Sequence, residues 1–148
     1  MTSRTFWIAP VVLFALDRIL KAAALQGLSF SLVGDSVRFV LFRNGGIAFS
    51  LPASGPIVWA ASLLIIGAVG ASAWRDWRLG ERGHFAAYTM FFLGAVSNLV
   101  DRVAWGFTDD YLMFFGRSAV NLADGMILLG AIWLALARPK PSQQNKIA

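Results

Sequence analysis

Residues 85–103 read FAAYTMFFLGAVSNLVDRV, an apolar run that stays uncharged until Asp101 and Arg102 at its far end. An α-helix rises about 1.5 Å per residue, so about twenty such residues cross the roughly 30 Å of hydrocarbon in a bilayer. Three further stretches of this kind surround it, at residues 6–25, 56–74 and 119–137. Of the 148 residues, 57% are hydrophobic and 14% charged, which is more apolar surface than a water-soluble globule of this size buries. The pattern predicts an all-α membrane protein with four transmembrane helices, built as a single domain over residues 1–148. The first span also imitates a cleavable signal peptide, with Arg4, an apolar run from Phe6 to Leu16, and then Ala22, Ala23 and Ala24.

Net charge is +5 and the isoelectric point is near 10.5, but the basic residues sit between spans rather than along a stripe that would suit nucleic acid. Arg75, Arg78 and Arg82 fill the loop between the second and third spans; Arg138, Lys140 and Lys146 lie in a polar tail over residues 138–148. Positive residues are retained on the cytoplasmic side. Arg4 agrees with this, so both termini are expected inside and no nucleic-acid partner is expected. The chain has no Cys, hence no disulfide and no thiolate nucleophile. Its one histidine, His84, falls in the inner loop and reads as solvated surface, which excludes a His-dependent triad or a multi-His metal centre.

Two segments belong to the outer side. Residues 26–55 are punctuated by Gly27, Gly34, Gly45, Gly46, Pro52 and Gly55 around the β-prone run VRFVLF at 37–42, and predict a small β-structured element in this first outer loop. Residues 104–118 set Trp105, Phe107, Tyr111, Phe114 and Phe115 among polar residues, the mixture found at a lipid headgroup interface.

An ionisable group in a span is costly, so each one needs a reason. With the termini inside, Asp17, Arg18 and Lys21 end the first span, Asn98, Asp101 and Arg102 end the third, and Asn121 and Asp124 open the fourth. The outer loops add Asn44, Asp109 and Asp110, so nearly all the unusual polar residues converge on one side. Spacings of three and four turn each helical set to one face. Asp17 with Lys21 reads either as an intrahelical ion pair or as part of a site, and Arg102 either as a site residue or as a side chain reaching for phosphate. Asp124 has no cation within a helical turn, so its partner must come from elsewhere in the fold. Two carboxylates held together cannot both ionise: one keeps a proton and polarises a carbonyl while the other draws a proton from water. Asp124 with one of Asp101, Asp109 or Asp110 can supply such a pair, and spacing does not choose among them.

Four blocks carry a resemblance. Asp17 to Lys21 is similar to D-x-x-x-K, Arg43 to Ser50 to R-N-x-G-x-A-F-S, Gly94 to Arg102 to G-x-x-x-N-x-x-D-R, and Asn121 to Asp124 to N-x-A-D. In this order, from first span to fourth, the chain resembles the lipoprotein signal peptidases, or signal peptidase II. The resemblance implies an aspartic endopeptidase of the bacterial inner membrane, active near its outer, periplasmic face without metal or organic cofactor. Such an enzyme cuts prolipoproteins just before a diacylglyceryl-modified Cys. It implies Asp110 and Asp124 as the catalytic pair, Asn44, Asn98, Arg102 and Asn121 as substrate-binding residues, and Asp17, Lys21 and Asp101 as supports. Its partners are lipidated prolipoproteins and membrane phospholipid, the protein itself being a monomer. It also keeps Asp17 and Lys21 in the mature chain, against the signal-peptide reading.

The chain departs from the family pattern at several positions. Leu20 stands where Ser or Thr is usual, Ser97 where Gly is usual, Val120 where Phe is usual, and Gly125 where Ser or Thr follows the catalytic Asp. Thr108, Asp109 and Asp110 replace V-V-D, and the stretch from Asp110 to Asp124 is short. Asp109 is thereby expected to raise the pair's pKa by like-charge repulsion or to take over part of Asp110's role. Two rival readings are a small transport protein with Asp17, Asp101 and Asp124 along a proton or cation path, and a paralogue that binds lipidated peptides without cutting them.

Overall fold

The structure, a computed structural model, describes residues 8–46, 55–80 and 82–136. Arg4, residues 47–50 of the second motif, Pro52, and the tail with Arg138, Lys140 and Lys146 lie outside the described residues. In chain order the elements are α1 (Ile8–Leu25), β1 (Phe30–Val33), β2 (Val37–Asn44), α2 (Gly55–Arg78), α3 (Arg82–Trp105), β3 (Thr108–Phe114), β4 (Ser118–Val120) and α4 (Leu122–Leu136). α1 stops where Gly27 turns left-handed at φ 89°, with Leu28 N–H reaching Ala23 O at 3.1 Å and Gly27 N–H reaching Ala24 O at 3.0 Å. That pair of bonds satisfies carbonyls the helix end would otherwise leave open, and glycine adopts the conformation without steric cost.

The four strands form one antiparallel sheet in the order β1-β2-β3-β4. The β-prone run at 37–42 does become a strand, but the expected β element of the first outer loop is only half of the sheet. The segment 104–118 supplies most of the other half. Its hairpin is tight: Phe115 and Gly116 both take positive φ, 52° and 63°, and Arg117 N–H meets Phe114 O at 3.0 Å. This is the turn geometry that suits strand twist, and it accounts for the short stretch between Asp110 and Asp124. Phe115 N–H also donates to Ser36 O at 2.8 Å, tying this hairpin to the β1-β2 turn. β2 and β3 pair Phe39 with Leu112, Phe42 with Asp110 and Asn44 with Thr108, with a bulge between Phe39 and Phe42.

Three helix boundaries move by three or four residues relative to the sequence reading, the simplest being the start of α3 at Arg82 rather than 85. The fourth helix starts at Leu122, not 119, because 118–120 pairs as β4 and Asn121 caps the helix. Arg75 and Arg78 occupy the last turn of α2, where cations oppose the negative helix end, so the loop between α2 and α3 shrinks to a few residues. His84 is not plain solvated surface: it is partly buried, with Nδ1 3.4 Å from Asp76 Oδ2, while Arg75 approaches the other oxygen of the same buried carboxylate at 3.1 Å.

Burial runs opposite to that of a water-soluble protein. Ile8, Val11, Ile19, Leu64, Leu128 and Leu136 are exposed along the helices, whereas Asp17, Lys21, Asp101, Asp109 and Asp110 are fully buried. Among the described residues one helix, over Pro56–Arg78, is by itself long and apolar enough to cross a membrane, and little of it is buried. α3 and α4 approach closely at two glycines. A Cβ on Gly94 would sit 2.6 Å from Ala123 O, and one on Gly130 would sit 2.8 Å from Phe91 N. A small apolar cluster of Ala24, Phe39 and Tyr111, flanked by Leu20, Leu112 and Leu122, seats the sheet on the ends of α1 and α4.

Candidate active site

The site grows from the first turn of α4. A helix begins with N–H groups that have no partner inside it. Here each of the first three finds a side chain. Leu122 N–H donates to Tyr111 Oη at 2.9 Å, Ala123 N–H to Asp17 Oδ1 at 3.2 Å, and Asp124 N–H to Asn121 Oδ1 at 2.9 Å. Asp124 answers by accepting Asn121 N–H on Oδ2 at 3.2 Å, so Asn121 and Asp124 form a reciprocal capping pair three residues apart. The other oxygen of Asp124 accepts Asn98 Nδ2 from α3 at 2.8 Å. This supplies the partner that the fourth span alone lacked.

Asp110 arrives from β3. Its Oδ1 accepts Asn121 Nδ2 at 2.7 Å and its Oδ2 accepts Asn44 Nδ2 from β2 at 3.0 Å. Asn44 is held in turn by Gly46 N–H on its Oδ1 at 3.0 Å. One residue, Asn121, therefore donates to both carboxylates, to Asp110 from its side-chain amide and to Asp124 from its backbone N–H. Burial pushes the Asp110 carboxyl up; the Asn44 amide opposes this, the charge of Asp124 adds to it, and Asn121 and Lys21 oppose it, leaving Asp110 at about 7. Arg102 lies within electrostatic reach of Asp124, Asp110 and Asp101, and its Nη2 donates to Gly46 O at 3.3 Å. Among the described residues, no group of three His, Asp or Glu side chains is placed to hold a metal ion.

Beneath the pair lies a closed ionic cluster. Lys21 Nζ donates to Asp101 Oδ2 at 2.6 Å and Asn98 Oδ1 at 2.9 Å and sits 3.2 Å from Asp17 Oδ2. Arg18 Nη1 pairs with Asp101 Oδ1. Lys21 and Arg18 balance Asp17 and Asp101, so the Asp17–Lys21 contact is more than a surface pair within one helix. Strand alternation turns Asp109 to the face opposite Asp110. Both its carboxylate oxygens are buried with no hydrogen-bond partner among the described residues, whereas its backbone is engaged: the N–H donates to Asp101 Oδ2 at 3.3 Å and the carbonyl accepts Asn121 Nδ2 at 3.5 Å. Burial and the neighbouring Asp101 push this carboxyl up, against Lys21, Arg43 and Arg18.

A sequence profile described as signal peptidase (SPase) II matches residues 9–138. The chain belongs to the signal peptidase II family. The lipoprotein signal peptidase of Mycobacterium leprae is 36% identical over 139 residues, covering 87% of this chain and 68% of that protein. That of Trichormus variabilis is 32% identical over 158 residues, covering 97% and 94%. A solved bacterial membrane enzyme, determined by the in meso method at 2.3 Å, superposes with a TM-score of 0.76 over 97% of this chain and 93% of its own; at 22% identity this likeness speaks for the fold alone. This signal peptidase II family member is thus a peptidase and a membrane protein.

Every site residue expected from the signal peptidase II resemblance falls into this one assembly. Asn44, Asn98 and Asn121, expected to bind substrate, here direct their amide N–H groups to Asp110 and Asp124. Three residues were not given a role by the sequence. Ser97, one of the departures, donates its hydroxyl to Asp17 Oδ2 at 2.6 Å; Arg18 pairs with Asp101; and Tyr111, grouped with the interface aromatics, is buried, its hydroxyl donating to Asp17 Oδ1 at 3.0 Å. Burial, and then the charge of Asp17, push the Tyr111 phenol upward, so it keeps the proton it donates. A period-two reading of 108–114 would have placed Tyr111 on the same face as Asp109, away from Asp110.

Proposed function

We propose that this chain is an aspartic endopeptidase that removes signal peptides from diacylglyceryl-modified prolipoproteins, with Asp110 and Asp124 as its catalytic pair. The observation that carries the reading is the pair itself: a fully buried carboxylate, Asp110, and a half-buried one, Asp124, on separate elements, bridged by Asn121, with Asp110 at about 7. Such a pair holds one proton near neutral pH. The positive end of α4 favours charge on Asp124, so Asp110 carries the proton. Asp110 then polarises the scissile carbonyl, while Asp124 takes a proton from the attacking water and passes it to the leaving amine. Asn44, Asn98 and Asn121 exchange their carboxylate bonds for substrate backbone, and Arg102 offsets the residual negative charge. The relatives' name, lipoprotein signal peptidase, supports the substrate class.

In this reading all four helices span the bacterial inner membrane as one domain, with both termini cytoplasmic and the sheet at the outer face. The exposed apolar side chains face lipid, the carboxylates meet a cleavage site that its diacylglyceryl anchor holds at membrane depth, and the protein acts as a monomer among phospholipids. The test is cleavage of a diacylglyceryl-modified prolipoprotein peptide by the purified protein in detergent. The unaltered chain cuts immediately before the modified Cys, and Asp110→Asn and Asp124→Asn each lose about a thousandfold or more in rate while remaining folded. Absence of cutting by the unaltered chain, with binding retained, would leave the non-cutting paralogue as the better account.

A further inference from the structure

Asp110 and Asp124 sit on different elements, so their separation depends on what ties β3 to α4. On one face of β3 that tie is Asn121. On the opposite face, the residue next to Asp110 makes a second one: Tyr111 Oη accepts Leu122 N–H at 2.9 Å and donates to Asp17 Oδ1 at 3.0 Å, and the same Asp17 oxygen accepts Ala123 N–H at 3.2 Å. Asp17 is itself fixed by Ser97 Oγ at 2.6 Å and by Lys21 at 3.2 Å. A carboxylate offers about four acceptor positions, and four donors fill these, so the anchor has no slack. The Tyr111 ring packs against Phe39, with centroids 5.4 Å apart, and is 1% exposed.

We propose that Tyr111 is a positioning residue for the peptidase reaction: through its hydroxyl, with Asp17 behind it, it fixes the first turn of α4 against β3 and so sets Asp124 relative to Asp110. Tyr111 touches no substrate, and the inference rests on the catalytic pair proposed above. It matters because reacting groups displaced by about 1 Å lose rate steeply without a matching loss of binding.

Tyr111→Phe keeps the ring and removes only the hydroxyl. Measured per folded molecule on the diacylglyceryl peptide, kcat falls about tenfold with KM unchanged. Amide exchange at Leu122 quickens by about tenfold or more. Phe39→Leu, which loosens the same apolar cluster but leaves every one of these hydrogen bonds, lowers the melting temperature and keeps kcat within about twofold. The proposal is overturned if Tyr111→Phe retains kcat, if Leu122 exchange is unchanged, or if Phe39→Leu loses kcat to the same degree, since that last result is plain packing. A parent protein that never cuts defeats the peptidase reading instead, and the exchange measurement still decides whether Tyr111 holds the helix.

Discussion

Asp109 and Asp110 are neighbours with opposite circumstances, and the contrast makes them separable by experiment. Asp110 has an amide on each oxygen; Asp109 has none among the described residues, although it is just as deeply buried. A buried polar group left without a partner costs about 1–3 kcal/mol. Because the folded protein holds the Asp109 carboxyl above its ordinary range, the folded state keeps a proton there that the unfolded chain releases. The stability contributed by that proton is complete below the ordinary carboxylate pKa and is lost as pH rises through the raised value. Asp109→Asn should therefore melt several degrees higher than the parent at pH 8, lose that advantage below about pH 4, and still cleave; thermal denaturation across pH measures the first two and the peptide assay the third. The sequence could offer Asp101, Asp109 and Asp110 equally as partners for Asp124. Resolving them needed the strand, since only period-two alternation turns one Asp of an adjacent pair toward Asn121 and the other away.

At the scale of elements, the contact between α3 and α4 decides whether Asn98 reaches Asp124. It depends on Gly94 and Gly130, where a Cβ would meet backbone atoms at 2.6 Å and 2.8 Å that cannot swing aside. Gly130→Ala should lower stability by about 1–3 kcal/mol, as overpacking does, while kcat per folded molecule holds. Gly94→Ala presses on Ala123 O, one residue from Asp124, and should lose activity as well as stability; denaturant melts alongside cleavage rates distinguish the two. The helices were legible in the sequence to within a few residues because apolar length is a local property. The sheet was half legible. Val37 to Phe42 announces a strand by composition, but 108–114 carries two Asp residues, a type depleted in strands, and its pairing with β2 and β4 is a tertiary arrangement. The start of α4 was missed for a related reason: β4 and the Asn121 cap are both tertiary arrangements of residues that read as apolar span.

For the whole molecule, the inversion of burial was the most legible feature, since a chain this apolar with so few charges must hide the charges it keeps. The identity of their partners was not legible, because Ser97, Arg18 and Tyr111 acquire meaning only when α1, α3, β3 and α4 come together. The closed cluster of Lys21, Asp17 and Asp101 has a further consequence. All three side chains are wholly shielded, so the dissolved ions that surround a protein cannot approach them. Screening acts over about 8 Å at physiological ionic strength and chiefly between exposed groups. Raising salt from about 50 mM to about 1 M in detergent should leave the melting temperature within about 2 °C, even though charge holds the centre of the fold. The centre of the protein is electrostatically assembled yet nearly electrolyte-blind, with Lys21 as a counterion sealed inside and only Arg18, 30% exposed, reaching toward solvent.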